Sequence, residues 1–389
     1  MFLGHFAHFI LSPPEETTMK FKVNTTELQR ALSKVGGAIP SKSTMPVLES
    51  FLFDLVNDTL VITATDLEVS LTASLNVQGS EDGRIVVPAK RLQDTVRSFP
   101  DIAPTFTIDT TTNKIKIVTD NGEYTLTGEN AKEFPALPQF ASSEEIRLDT
   151  TLLKRIIHRT TFAVSGDELR PAMMGILLQG KGKMLSAVAT DGHRLVKVDQ
   201  QLPSSAVLKR DVIVPARACN LVARSAEGGI NTIALSSTHI RFAFDSMQLI
   251  SRLIDEKYPN YESVIPQDND KSMTVNREEI ITALRRVALY ASATTHQIRF
   301  DIKQNTLTIS AQDLDFGGEA RETLSCEYTQ EPLEIGFNSG YVTDILTHLD
   351  SEKVVFRFSA PTRAGLVAPS VQKEDEDVVM LVMPVRLAT

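Results

Sequence analysis

The chain has 389 residues, a formal net charge of −9, 42% hydrophobic and 23% charged residues; this is too long for one core and excludes a disordered or fibrous protein. Its two cysteines, Cys219 and Cys326, form no CxxC pair and have no histidine at ligand spacing, which excludes a disulfide framework and a zinc site and fits a reducing cytoplasm. The acidic total speaks against a tight, static nucleic-acid binder, which would be basic along its contact surface, although a total says nothing of distribution.

In chain order, Met1 to Leu11 is an apolar run with no preceding Lys or Arg and no small-residue cleavage pattern, and it is too short to span a bilayer. Residues 1–18 read as an N-terminal extension from an upstream start site. "MKFKV" from Met19 alternates as a strand, and "TTELQRALSKVGGAI" (25–39) predicts an amphipathic helix with a polar N-cap. "FLFDLVNDTLVITATDLEVSL" (51–71) alternates around a turn at Asn57-Asp58. "VVPAKRLQDTVRSF" (86–99) runs from strand to helix with Pro88 in the first helical turn, and "KIKIVTDNGEYTLTG" (114–128) predicts a hairpin on Asn121-Gly122.

The same series then recurs. "DTTLLKRIIHRTTFAVS" (149–165) and "VNREEIITALRRVALYAS" (275–292) repeat the first helix, placing Leu28, Leu153 and Ile280 about 125 positions apart. "GILLQGKGKMLSAVATDGHRLVKV" (175–198) and "IRFDIKQNTLTISAQDLDFGG" (298–318) repeat the hairpins, turning at Gly180 to Gly182 and at Gln304-Asn305. "IVPARACNLVARSA" (213–226) and "IGFNSGYVTDILTHL" (335–349) repeat the second helix. Each unit holds roughly two helices and about eight strands. The proline-bearing stretches "EFPALPQF" (133–140) and "KYPNYESVIPQD" (257–268) separate the units, with Pro135, Pro259 and Pro384 at the same spacing. The expected class is α+β: three repeated domains, each of two helices packed on antiparallel sheets, over 19–140, 147–266 and 267–389.

"ATDGHRL" (189–195) sets Asp191, His193 and Arg194 together, residue types that could form an acid/base pair with an anion clamp. The repeat weighs against catalysis. Asp66, Asp191 and Asp313 are equivalent, so Asp191 reads as a turn acid capping backbone N–H groups. His193 and Arg194 have no counterparts in the other units, and no Ser, Cys or second carboxylate stands at a suggestive spacing nearby. No glycine-rich phosphate loop, HExxH, GxSxG or paired-carboxylate constellation occurs, and "GKGK" (180–183) lacks phosphate-loop spacing. No catalytic residue, cofactor or metal is expected. Two rivals stay open: an enzyme using Asp191, His193 and Arg194, and a binding scaffold that does not encircle DNA.

The six predicted helices carry +6 of the formal charge, which leaves −15 on the rest of the −9 chain. A basic helical face on an acidic body suits loose, base-independent attraction of phosphates. Surface helices also expose Lys and Arg as a matter of course, and no aromatic platform for single strands interleaves with these.

"MKFKV", "TDLE" (65–68), "ATDGHRL", "YPNYESVIP" (258–266), "GFNSGYVTDIL" (336–346) and "VMPVRL" (382–387), in three repeats of about 120 residues, closely resemble the bacterial DNA polymerase III beta subunit family, the sliding clamps. The resemblance covers 19–387. It implies the DNA clamp fold, with a head-to-tail homodimer closing a ring that slides on duplex DNA without sequence preference. Its implied partners are the DNA polymerase III alpha subunit, the clamp loader, repair polymerases and other proteins with clamp-motif peptides, in the cytoplasm. Position by position, the partner-peptide pocket would comprise Met173, Thr190, Gly192, His193, Arg194, Leu195, Pro259, Val264, Asn338, Tyr341, Leu381, Val382, Met383, Pro384, Val385, Arg386 and Leu387, taking Leu and Phe anchors. DNA would meet Lys42, Lys90, Arg91, Arg170 and Arg217, with Asp167 less friendly to phosphate than a neutral residue. The dimer would set Tyr124 and Leu126 against Leu289 and Tyr290. Met173 and Val385 depart from the family's usual side chains, Ser263 stands where a basic residue is frequent, and Ala388-Thr389 extends past the usual terminal leucine.

Overall fold

A computed structural model describes residues 18–138, 140–141, 144–202, 208–313 and 316–387. The expected N-terminal extension, all but its last residue, and the terminal Ala388-Thr389 lie outside the described residues. Two compact units divide the chain, 1–139 with 246–250, and 140–245 with 251–389.

In the first unit, helix α1 (Thr25–Val35) starts where Asn24 Oδ1 accepts from the N–H groups of Thr26 and Glu27, satisfying donors with no partner inside the helix. The expected helix over 25–39 is α-helical only to Val35; Gly36–Ala38 tighten into a 3-10 turn, since Gly-Gly supports an α-helix poorly. Helix α2 (Ala89–Ser98) follows a strand at Gly83–Pro88. Pro88 caps this helix rather than sitting in its first turn, because it still pairs with Ser50 in the sheet. A five-stranded sheet has the order Gln78–Glu81, Thr18–Lys22, Thr105–Asp109, Lys114–Thr119, Gly122–Thr127. Its last hairpin sets Thr119 opposite Gly122, so Asp120 and Asn121 make the turn.

In the second unit, Asp149, Asn276 and Asn338 cap α3 (Thr150–Thr161), α5 (Arg277–Val287) and α6 (Ser339–Thr347), and α4 (Ala216–Ser225) follows Pro215 as α2 follows Pro88. An eight-stranded antiparallel sheet runs Val212–Pro215, Gly175–Lys181, Met184–Thr190, Arg194–Gln201, Glu376–Val382, Gly365–Pro369, Lys353–Phe358, Lys271–Asn276. The second repeat meets the third in the middle of this sheet, where Leu195 lies opposite Leu381 and Gln200 opposite Glu376. Leu195, Val196, Val198, Val378, Met380, Leu381 and Val382 are all buried there. A strand pair buried on both faces specifies its register strongly, so this seam is a fixed platform. Cys219 and Cys326 are free and buried, and burial pushes the Cys219 thiol up to about 12.

Candidate functional site

The "ATDGHRL" turn sits at the seam between the strands Met184–Thr190 and Arg194–Gln201. Gly192 has φ +90°, a conformation that disfavours any side chain. Asp191 Oδ1 accepts from the N–H groups of His193 and Arg194 at 2.8 and 2.9 Å. Asp66 Oδ1 accepts likewise from Glu68 and Val69, and Asp313 Oδ1 from Phe316. The repeated acid is a turn acid in all three places.

Arg194 is almost fully committed. Its Nε donates to the other Asp191 oxygen at 3.1 Å, its Nη2 to the Phe162 carbonyl at 2.7 Å, and its Nη1 to Asp344. The guanidinium carbon also lies 5.2 Å from the Phe162 ring centre and 5.0 Å from that of Tyr341. It therefore ties the C-terminal end of α3 and its own turn to α6, 150 positions away. His193 stacks on Tyr341 with ring centres 5.7 Å apart, and its carbonyl accepts from Met383 N–H at 2.8 Å. This grouping contains a structural acid, a spent guanidinium and a stacked ring. It has no acid/base pair.

Beside it opens a groove of about 680 Å³. Nine of the residues expected at a partner site line it: Met173, Thr190, Gly192, Arg194, Leu195, Pro259, Val264, Leu381 and Met383. Its floor belongs to a cluster in which Leu195, Leu381, Val188 and Leu177 pack with Tyr261 and Ala364. The 257–268 segment crosses this floor: Tyr261 is buried and its hydroxyl donates to Gln179 Oε1 at 2.6 Å. Burial, then the charges of Glu262, Asp199 and Asp211, pushes that hydroxyl up to about 12. Val264 (52% exposed) and Met383 (39%) leave apolar surface in the open.

The other expected pocket residues fall elsewhere. His193 and Tyr341 flank the groove, and Asn338 caps α6 through Gly340 and Tyr341 N–H. Val382 is wholly buried, and strand alternation turns it to the sheet face opposite Leu381 and Met383. The tail through Pro384, Val385, Arg386 and Leu387 leaves the groove and bonds at Gly336, where Val385 N–H donates to the Gly336 carbonyl at 2.9 Å. A Cβ at Gly336 would lie 2.7 Å from both Val385 O and Leu387 Cδ2, so only glycine admits this tail. Sequence reasoning missed Tyr261, Ile265, Pro266, Asp268 and the 362–364 turn as lining residues. "YPNYESVIPQD" could have pointed to the first four, but no local signal marks Thr362, Arg363 and Ala364.

Of the expected DNA contacts, Lys42 is exposed on a loop, while Lys90 and Arg91 open α2 and Arg217 opens α4, all exposed. Arg170 is exposed but engaged, donating to Asp167 Oδ2 at 2.8 Å and to the Asp191 carbonyl at 3.1 Å. The Leu169 N–H, then Arg170, holds the Asp167 carboxyl below the usual carboxylate range. Tyr124 (41%), Leu289 (81%) and Tyr290 (47%) are exposed, whereas Leu126 is buried (7%) and has little side chain to offer a partner. Among the described residues no group of three or more His, Cys, Asp or Glu is arranged to hold a metal, and no helix is long and apolar enough to cross a membrane.

A tandemly repeated α+β unit, each copy with two helices and antiparallel sheet, defines the class as a clamp fold. Comparison with known proteins agrees. The N-terminal, central and C-terminal domain models of the DNA polymerase III beta subunit match residues 19–138, 147–260 and 262–386. The beta sliding clamp of Pseudomonas aeruginosa is 32% identical over 375 residues, covering 95% of this chain and all of the relative. That of Chlamydia muridarum is 29% identical over 371 residues, covering 95% and 99%. The crystal structure of a sliding clamp from Bartonella birtlesii bound to griselimycin superimposes with a TM-score of 0.90 at 31% identity, covering 95% of this chain and all of that one. The chain belongs to the DNA polymerase III beta subunit family, the bacterial beta sliding clamps. Its function is that of a DNA polymerase clamp, a processivity factor rather than a catalyst.

Proposed function

We propose that the chain closes around duplex DNA as a head-to-tail homodimer in the cytoplasm and tethers the DNA polymerase III alpha subunit, the clamp loader and repair polymerases in turn through the 680 Å³ groove. The groove is the observation that carries this reading. It has a rigid apolar floor for Leu and Phe anchors, and two methionines, Met173 and Met383, that adapt to several partners. Tyr341 and His193 extend its wall. The working domains are 19–140, 147–266 and 267–389.

Self-association is supported by two open sheet edges. Gly122–Thr127 ends the five-stranded sheet and Gly318–Ser325 ends a four-stranded one. An exposed strand edge invites pairing with another chain, and two different edges give a heterologous contact that closes when the rotation allows. Tyr124 stands on the first edge strand; Leu289, Tyr290 and Phe316 (88% exposed) stand out of the repeat that holds the second. Lys42, Lys90, Arg91 and Arg217 would attract phosphates without reading bases, and Arg170 would contribute less because Asp167 shares its charge.

The test is retention on DNA. The protein is loaded by its clamp loader onto nicked circular plasmid, salt is raised, and the circle is then linearised. Survival of salt on the circle followed by release from free ends marks a topological link. Release by salt alone, with an active loader, marks electrostatic binding, and a scaffold that does not encircle DNA takes the clamp's place.

A further inference from the structure

Three charged side chains line the groove: Arg194, Asp268 and Arg363. The side chain of Arg194 is 11% exposed and already holds Asp191, Asp344 and the Phe162 carbonyl. Arg363 differs. Its side chain is 51% exposed, and the one ion pair it makes among the described residues joins Nη2 to Asp268 Oδ1 at 2.9 Å. A guanidinium has five N–H donors on a planar fork, so a second edge of Arg363 stays open to the groove.

The position is also prepared. Arg363 N–H donates to the Ala360 carbonyl at 3.1 Å, closing a turn. Asn269, next to Asp268, donates through Nδ2 to the carbonyls of Arg357 and Ala364, each at 3.0 Å. One buttressing amide thus grips the backbone beside both members of the pair. A preformed fork loses little freedom when it takes a ligand. The neutral polar neighbours do not compete: Ser263 Oγ donates to the Asn260 carbonyl at 2.8 Å and Gln267 Nε2 to that of Ile265 at 3.3 Å.

We propose that Arg363 reads a carboxylate on the docked partner, so that the groove prefers an apolar peptide segment with Asp or Glu flanking its anchors. This rests on the groove reading above and names the partner chemistry. Asp268 holds one edge of the fork, and the incoming carboxylate takes the other in the paired geometry that arginine favours.

The experiment uses the full chain and fluorescein-labelled octapeptides with adjacent Leu and Phe anchors, carrying Asp, Asn or Lys at each flanking position in turn, with affinity read by fluorescence anisotropy. At one flanking position Asp should bind about 2- to 5-fold tighter than Asn, the range for a solvent-exposed ion pair, and the advantage should fade in high salt. Arg363→Ser should abolish the difference in affinity between the Asp and Asn peptides; Arg363→Lys, which keeps the charge but not the fork, should restore only part of it. Equal affinities for all three peptides, or a preference that survives Arg363→Ser, overturns the proposal while leaving the groove reading intact. Tightest binding by the Lys peptide overturns it in favour of Asp268 as the reader. Failure of every version to bind overturns the groove reading itself.

Discussion

Glu376→Gln tests what holds the second and third repeats together. Glu376 and Arg159 each expose 3% of their side chains; they are bonded to each other, while Arg159 reaches on to Asp350. Arg155 Nε completes the cluster at 3.0 Å from Glu376 Oε2. Two cations from α3 in the second repeat thus converge on one carboxylate at the start of the third repeat's seam strand. The amide is nearly isosteric but removes the buried negative charge of this cluster, leaving Arg159 with the half-exposed Asp350. Breaking a buried pair costs about 3–5 kcal/mol. At roughly 2–4 °C per kcal/mol for a unit of this size, the thermal transition of the second unit should fall by roughly 6–20 °C.

Groove binding at 25 °C should change less than about 2-fold, because Glu376 lies five residues along the strand from Leu381, about 17 Å at 3.4 Å per residue. Arg159→Met with Glu376→Leu should recover most of the loss, since a buried pair and a packed apolar pair are of similar stability. Calorimetry with chemical denaturation measures this. A loss below about 1 kcal/mol for Glu376→Gln would refute the reasoning, because it would mean that water reaches the cluster and screens it.

A second prediction concerns pH. The His348 ring lies 4.1 Å from the Phe162 ring and 4.5 Å from His158, with Nδ1 2.7 Å from the Asp344 carbonyl and Arg194 nearby. Burial, opposed by the bond to Asp344, pulls its pKa below 6.5. Since the unfolded chain takes up the proton first, this stability is complete above pH 6.5 and lost as pH falls through the folded value. His348→Phe should therefore flatten the stability profile of the second unit below pH 6.5, as read by urea titrations at several pH values; an unchanged acid limb would contradict the assignment. Arg194→Met, which strands Asp191, Asp344 and the Phe162 carbonyl, should cost about 1–3 kcal/mol, less than a fully buried pair because Asp344 is half-exposed. It should also weaken peptide binding at least about 10-fold, the equivalent of some 1.4 kcal/mol, by loosening the wall between α3 and α6; denaturation and anisotropy together check both effects.

Local chemistry made much of this protein legible. Helix starts follow from Asn24, Asp149, Asn276 and Asn338, whose side chains cap the residues just after them, and the repeated turn acid follows from a bond spanning two or three positions. The repeat itself is visible because each copy needs the same apolar faces at the same period. Local pattern erred by small steps where the sheet or a glycine pair intervened, as at Pro88 and Gly36. The family resemblance proved sound for the fold and the function, and nine of its pocket positions do meet in one groove.

What only the tertiary structure decided depends on residues far apart in the chain. Arg159 and Glu376 are separated by 217 positions and Arg194 and Asp344 by 150, and no periodicity relates them. Arg363 enters the groove wall because a turn folds it beside Asp268, 95 positions earlier. Leu126, expected on a dimer surface, faces inward in its own sheet. Spacing and composition determine which faces must be buried, because apolar area and backbone donors are counted locally. Which charges meet across a seam depends on how the buried faces dock, and that is settled by the register of strands roughly 180 positions apart in the chain.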